Sequence, residues 1–416
     1  MHYLTTSEEA GETLCNGPLK AQDQLQHRHV LEVLWTADPK LGGIVASVPD
    51  FSTAMDREGR YQSQILAFVD SAKQDQMKEV AANAVVVPTG MFGGFFGHAI
   101  RSQVEAAAAR SSVIHIHGLW REHGAAAIAA ATKRKIPYVY SVHGMLNGRA
   151  LEAKRWKKKI YAALIERRNL QGASALRAFT RFEAESYQNF GVKRPVVVIP
   201  NGVHLPKNQS SRLFLDTFPA LVGKQLILYM GRLHAHKGLD LLVRAWSRMA
   251  ARFPDVHLVL AGPDELDTKA RLDSLAEELG VARRVTFTGN LSGDLKWSAL
   301  WAAEMFVLPS LSEALSVGVL EALACSRPVI LTRGCNFPEV EMHQAGIIIE
   351  RNENDLERAL TDVLRLSSRE RSEMGARGRN FVKSKYSWAS VAQSTANVYD
   401  WLLGGNRPSN VEIYDR

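Results

Sequence analysis

The chain has 416 residues, with 51 Lys+Arg against 43 Asp+Glu, a formal charge of +8, 46% apolar and 23% charged residues. At roughly 150 residues per domain that length excludes one compact core, and about two to three units with a cleft between them are expected. No uninterrupted apolar run reaches the ~18 residues of a membrane span, no apolar signal core occupies the first thirty residues, and a cytosolic protein is expected.

Cys15, Cys325 and Cys335 form no C-x-x-C pair and no histidines cluster at zinc-ligand spacing, so neither a disulfide framework nor a structural metal is expected. A pI of about 9.3 is compatible with nucleic acid, anionic lipid or a phosphorylated substrate, and equally with no charged partner. The positions of the cations have to decide.

Residues 1–28 are polar, contain Gly-Pro and show no period, which predicts a loose N-terminal arm. Short apolar runs then alternate with longer helix-period segments, at 29–35, 84–87, 113–117, 138–142, 175–180 and 196–199. Runs rich in Val and Ile, buried on both faces, predict a parallel sheet flanked by helices, a Rossmann-like unit over 29–203. The stretch 205–223 contains Pro206, Asn208 and Pro219, so a linker is placed at 204–224.

A second alternating series has strands near 225–230, 257–261, 284–288, 305–308, 328–331 and 347–349. Gly238 opens a helix that runs to about 253, before Pro254, and Gly280 stops another at 279. The second Rossmann-like unit spans 225–385. In 386–404, Trp388, Val391, Val398 and Trp401 share one helical face ahead of Gly404-Gly405, which predicts a closing helix followed by a polar tail over 405–416. Two such units face each other with the C-terminal ends of their strands, and the interdomain cleft is the expected site.

The run 309–324 follows a strand and carries Glu313 and Glu321, separated by seven residues. With Ser316 as N-cap the helix starts near Val317, leaving Glu313 in the loop and Glu321 within the first turns. The backbone at Leu315, Ser316 and Val317 then offers free N–H groups and a positive dipole end to a diphosphate, while the carboxylates accept from sugar hydroxyls. Two ordinary solvated glutamates are the alternative. Upstream, Gly231-Arg232 and Lys237-Gly238 link a strand to a helix. A guanidinium and an ammonium converging there neutralise a diphosphate leaving group without a metal, and the glycines allow close backbone approach. The alternative is that both cations merely solubilise the loop. His234 and His236 are read as solvent-facing.

Asn201-Gly202-Val203, Gly231-Arg232 with Lys237-Gly238, Ala261-Gly262-Pro263, the Glu313 to Glu321 run and Arg327-Pro328-Val329, in that order, resemble the retaining GT-B glycosyltransferases of family GT4. The resemblance spans nearly all of 29–403. It implies a GT-B fold, two facing Rossmann-like domains with a deep interdomain cleft and a C-terminal closing helix. It also implies transfer of a sugar from a nucleotide-sugar donor, held mainly by the second domain, to an acceptor on the first, with no cofactor or metal.

By the same resemblance Arg232 and Lys237 contact the donor diphosphate, Glu313 the donor sugar hydroxyls and Glu321 the ribose. Gly42-Gly43 matches the glycine-rich loop near the donor phosphate, and His143, in Ser141-Val-His-Gly144, the histidine beside the reacting sugar. Two departures stand out: position 326 is Ser where many relatives have Gly, and the run between the glutamates lacks Gly-Phe-Gly. His115-Ile-His117-Gly-Leu-Trp120, Ser141-Val-His-Gly-Met-Leu and Gly334-Cys-Asn-Phe-Pro-Glu-Val340 resemble bacterial exopolysaccharide and surface-glycan transferases, which implies a glycan or lipid-linked acceptor. His115 is expected to be buried and structural, and His117, nearer the loop end, is an acceptor-side candidate.

Around Trp156, Lys154, Lys157, Lys158 and Lys159 lie in a segment where Trp156, Ile160 and Leu164 align at helical spacing. This basic amphipathic helix either docks on anionic lipid at the inner membrane face or packs with a solvated lysine face. Asp264-Glu265-Leu-Asp267 lacks Asp-x-Asp spacing, and no metal is assigned to it. An epimerase or phosphorylase of related two-domain fold and a nucleic-acid binder remain as alternatives; no helix-turn-helix or zinc pattern favours nucleic acid as a partner.

Overall fold

The computed structural model describes residues 28–36, 43–70, 84–89, 96–119, 121–146, 166–207, 209–313 and 315–415. The chain forms two sheets. The first contains β1 (Arg28–Leu34), β2 (Tyr61–Asp70), β3 (Ala84–Thr89), β4 (Val113–His117), β5 (Tyr138–Ser141), β6 (Ala175–Ala178) and β7 (Val196–Val198). The second contains β8 (Gln225–Met230), β9 (Val256–Ala261), β10 (Val285–Gly289), β11 (Ala303–Leu308), β12 (Val329–Thr332) and β13 (Gly346–Ile349), and the last strand of the chain is β14 (Glu412–Tyr414).

Strand order is β14-β7-β6-β5-β4-β1-β2-β3 in one sheet and β10-β9-β8-β11-β12-β13 in the other. All recorded pairings are parallel except β14 with β7. Each order reverses once, beside β1 and β4 in the first sheet and beside β8 and β11 in the second. Loops diverge at such switch points and leave a crevice at the strand C-terminal ends.

Two elements differ from the sequence reading. β2 was not among the expected strands: exposed Gln62 and Gln64 alternate with buried Tyr61 and Ser63 before the fully apolar part begins, so its first half does not read as a buried run. The expected polar tail contains β14, which returns to the first sheet and covers the β7 edge. Residues 1–27 lie outside the described residues.

The expected closing helix is Trp388–Leu402. Val391 and Val398 are buried, with Trp388 and Trp401 packed beside them, in one cluster with Val30, Phe51, Val113 and Val139 of the first domain. Burying each such side chain stabilises by roughly 1.5–3 kcal/mol. Asp400 at its far end accepts from Arg28 Nη1 at 2.9 Å, Arg60 Nη1 at 2.6 Å and the Tyr61 hydroxyl at 2.8 Å. The chain therefore crosses between domains twice, and the crossings lie side by side: Val203 N–H donates to the Tyr386 carbonyl at 2.8 Å, and Val203 bridges to Ser387. A Cβ on Gly202 would stand 2.2 Å from the Trp388 ring, so only glycine lets these segments approach.

Candidate active site

In the second domain the site grows from β8 and β11. The turn after β8 runs through Arg232 to Lys237 and ends at Gly238, whose φ of +69° starts the helix Leu239–Ala250. A Cβ there would lie 2.3 Å from the Pro309 carbonyl oxygen, so this glycine lets the loop after β11 settle against the loop after β8. The two loops are tied by Leu311 N–H donating to the His236 carbonyl at 2.8 Å.

This juxtaposition brings Lys237 Nζ to 2.6 Å from Glu313 Oε1, both side chains largely withdrawn from solvent. Glu313 is held by its own backbone: its N–H donates to the Gly334 carbonyl at 2.8 Å, and its carbonyl accepts from Asn336 Nδ2 at 2.9 Å. Arg232 is engaged by a different carboxylate from the one that holds Lys237. It is exposed and donates through Nη1 to both oxygens of Glu265, at 2.9 and 3.1 Å. Glu321 lies in the helix Val317–Ala324 and pairs with Lys296 at 2.5 Å. Ser316 takes the N-cap position, although its side chain makes no capping bond. Ser326, the departure from glycine, has φ of +57° in the turn after this helix, a strained choice costing roughly 1–2 kcal/mol.

In the first domain the sequence names His143 but not what holds it. His143 follows β5 in a left-handed conformation, φ +53°. The turn is fixed by Glu183, whose carboxylate accepts from Gly144 N–H at 2.5 Å and Phe179 N–H at 2.7 Å. Behind it lies a polar cluster inside the sheet. His143 Nε2 is 3.0 Å from His117 Nδ1, and His117 Nε2 is 2.6 Å from Glu32 Oε2. His115 is 2.6 Å from the Tyr399 hydroxyl through Nδ1 and 2.7 Å from Ser141 Oγ through Nε2. His115 is thus buried as expected. His117, expected as an acceptor-side candidate, does not reach the cleft: at 1% exposure it is sealed behind His143, on a strand, β4, that is flanked by β1 and β5 in the middle of the sheet.

Arg177 on β6 completes the cluster. It donates to the carbonyls of Ile199 at 3.0 Å and Pro200 at 2.7 Å, and its guanidinium stacks over Phe51 and Phe179. Burial pulls its pKa down to about 10. Burial likewise pushes the Glu32 carboxyl up to about 8, against the Arg177 charge, and pulls His117 down to about 3. His143 is held well below the usual imidazole range by burial and then by the His117 and Arg177 charges. Glu32, His115 and His117 present ligand atoms within 4.8 Å of one another. Their four ring nitrogens are already spent on hydrogen bonds, so the set reads as a hydrogen-bonded network rather than a metal centre.

The two halves meet at one cavity of about 250 Å³, with His143, Gly144 and Thr180 on one wall and Leu315 and Val317 on the other. An adjoining cavity of about 340 Å³ shares Phe179, Phe182 and Leu315 and extends to Phe337 and Met342. Gly43 opens the helix Gly43–Glu58, whose Ile44 lines the first of these cavities, while Gly42, Lys154, Lys157, Lys158 and Lys159 lie outside the described residues. Glu32, Arg177, Glu183 and Lys296 escaped the sequence reading. A lone charge inside an apolar strand was the available signal for the first two.

Two family profiles match the chain: "Glycosyl transferase 4-like domain" over residues 42–202 and "Glycosyl transferases group 1" over 217–381. The chain belongs to the GT4-type, group 1 glycosyltransferases. This glycosyltransferase is 26% identical to a D-inositol 3-phosphate glycosyltransferase of Mycolicibacterium gilvum, across 89% of this chain and 87% of that one. Among solved structures it resembles sucrose-phosphate synthase from Thermosynechococcus elongatus, with a TM-score of 0.71 at 19% identity over 91% of this chain and 100% of that one. It also resembles Anabaena Alr3699/HepE in complex with UDP and glucose, with a TM-score of 0.68 at 17% identity over 90% and 100%. The shared architecture is GT-B. Among the described residues no helix is long and apolar enough to cross a membrane.

Proposed function

We propose that this glycosyltransferase moves a sugar, with retention of anomeric configuration, from a nucleotide-sugar donor to a hydroxyl of a glycan or lipid-linked acceptor in bacterial surface-polysaccharide or exopolysaccharide assembly. The carrying observation is the shared cavity: His143 of the first domain faces Leu315 and Val317 of the second, which follow closely in sequence on Glu313, the partner of Lys237. In this reading Lys237, Arg232 and the helix start at Val317 stabilise the departing diphosphate by charge and oriented N–H groups, with no metal. Glu313 positions the donor sugar, Glu321 the ribose, and Gly42, Gly43 and Gly231 allow close backbone approach to the donor. His143 lies beside the anomeric centre. The UDP and glucose held by the Anabaena relative support a nucleotide-sugar donor.

The test is a product assay with UDP-glucose and a panel of other nucleotide sugars. Release of nucleoside diphosphate with an axial-to-axial transfer, read from the anomeric proton coupling, is expected. An inverted product overturns retention, and an isomerised sugar formed without acceptor overturns transfer itself. For docking at the inner membrane face, the combined change Lys157→Glu, Lys158→Glu, Lys159→Glu is expected to weaken cosedimentation with anionic vesicles, since each basic residue near such a surface contributes about 1 kcal/mol. Unchanged sedimentation retires that part of the reading.

A further inference from the structure

Glu32, His117 and His143 form an unbroken hydrogen-bonded path from the closed interior of the first domain to the cleft. Glu32 and His117 are essentially inaccessible to solvent, and Glu32 Oε1 has no hydrogen-bond partner. With Nε2 given to His117, Nδ1 is the remaining polar atom of the His143 ring, and that ring lines the cavity shared with Leu315 and Val317.

Such a path has two self-consistent arrangements. With Glu32 ionised, its Oε2 accepts from His117 Nε2–H, His117 Nδ1 accepts from His143 Nε2–H, and His143 Nδ1 is a bare acceptor. With Glu32 protonated, its O–H donates to His117 Nε2, His117 Nδ1–H donates to His143 Nε2, and His143 Nδ1 carries a hydrogen. The two differ by one proton, and every transfer balances. A proton entering from the cleft forms N–H at His143 Nδ1, the Nε2–H of that ring breaks as N–H forms at His117 Nδ1, and the His117 Nε2–H breaks as O–H forms on Glu32. In neither arrangement does a ring hold a charge.

We propose that Glu32 and His117 are positioning residues that set, through this path, whether His143 offers a hydrogen-bond donor or an acceptor to a sugar hydroxyl in the cleft, with Glu32 as the terminal proton store. The proposal rests on His143 lying in the active cleft, as in the function proposed above. The groups facing Glu32 fit it. His115 and His117 on β4 are neutral neighbours, the Tyr399 hydroxyl comes from the closing helix, Arg177 from β6 and Asp56 from the helix Gly43–Glu58. Burial, aided by Asp56 and opposed by Arg177 and Tyr399, pushes the Glu32 carboxyl up to about 8. Below that pH Glu32 is protonated and His143 Nδ1 donates; above it Glu32 is ionised and Nδ1 accepts.

The test follows the ring nitrogens of ¹⁵N-histidine-labelled full-length protein by NMR between about pH 6 and about pH 10, a window spanning ordinary imidazole and the raised carboxyl. His143 is expected to pass from the Nδ1–H to the Nε2–H tautomer as pH rises, in step with His117. In Glu32→Gln the side-chain amide donates to His117 and cannot ionise, so His143 is expected to stay Nδ1–H throughout. A tautomer change in that variant matching the unaltered protein overturns the proposal. His117→Gln, which cuts the path in the middle, must also abolish the pH-linked change and serves if the Glu32 variant does not fold. The enzymatic counterpart is a kcat for transfer that changes about tenfold or more with pH in the unaltered protein and is flat in Glu32→Gln, with the donor KM within about twofold. Because the tautomer readout needs no turnover, an intact tautomer switch in a protein that transfers no sugar refutes the function proposed above and leaves the path standing.

Discussion

Lys237→Ala and Glu313→Ala are each expected to lower the kcat for sugar transfer by about a hundredfold or more, the scale on which a preorganised charge at a leaving group acts. The pair is only 2.6 Å apart, at 19% and 12% side-chain exposure, so neither residue is a loose surface charge. Removing Lys237 withdraws the cation proposed to meet the diphosphate and leaves a carboxylate to repel it. Removing Glu313 frees Lys237 but loses the acceptor proposed for the donor sugar. Both loops keep their backbone ties, Leu311 to His236 and Glu313 to Gly334, so the fold should survive with a stability loss of about 1–3 kcal/mol. Steady-state kinetics with a saturating nucleotide sugar, beside a circular-dichroism melt, decides the matter. Turnover near the unaltered level in either variant removes these residues from the donor site.

The second large effect is on stability. Tyr399→Ala is expected to cost the first domain about 3–5 kcal/mol, as for other large aromatic truncations in a closed core. Tyr399 is fully buried, its ring meets Tyr61 edge-on at 5.3 Å, and its hydroxyl is bonded to His115. The residue follows the entire second domain in sequence yet packs on the first. Urea unfolding followed by segment-resolved hydrogen exchange should therefore show the loss in residues 28–199 and leave 225–385 unchanged. An equal loss in both domains, or one below about 1 kcal/mol, would show that the helix Trp388–Leu402 does not belong energetically to the first sheet.

The second domain was the more legible half. β8 to β13 begin and end within about two residues of the apolar runs that announce them, most plainly the central β8, β9, β11 and β12, because parallel strands covered on both faces are largely apolar. β2 and β14 were not legible, the first because its outer half alternates polar and apolar, the second because a three-residue edge strand carries no period. The same division holds at the site. Lys237 and Glu313, which the structure brings together, could be nominated because the motifs carrying them follow strands, in an order that a family resemblance makes meaningful. Glu32, Arg177 and Lys296 could not, since each owes its role to a neighbour supplied by strand order or domain packing. Glu32 meets His117 only because β1 lies beside β4, and pairing between sheet strands far apart in sequence is not written in local spacing. For the same reason the burial of His117 behind His143 was not legible.

The double crossing between domains also sets the order in which the molecule can be completed during synthesis. A first domain normally folds as soon as it clears the ribosome, but this one lacks the helix Trp388–Leu402 and the strand β14 until the second domain has been made. At ~5–20 residues per second that interval lasts on the order of ten to forty seconds. Throughout it the apolar face bearing Val30, Val113 and Val139 lacks the side chains that the closing helix contributes and the β7 edge lacks β14, the kind of surface that invites pairing with another nascent chain. The second domain can close within its own contiguous stretch of polypeptide, whereas the first has to wait, and its yield in the cell should depend on whatever shields that face in the meantime.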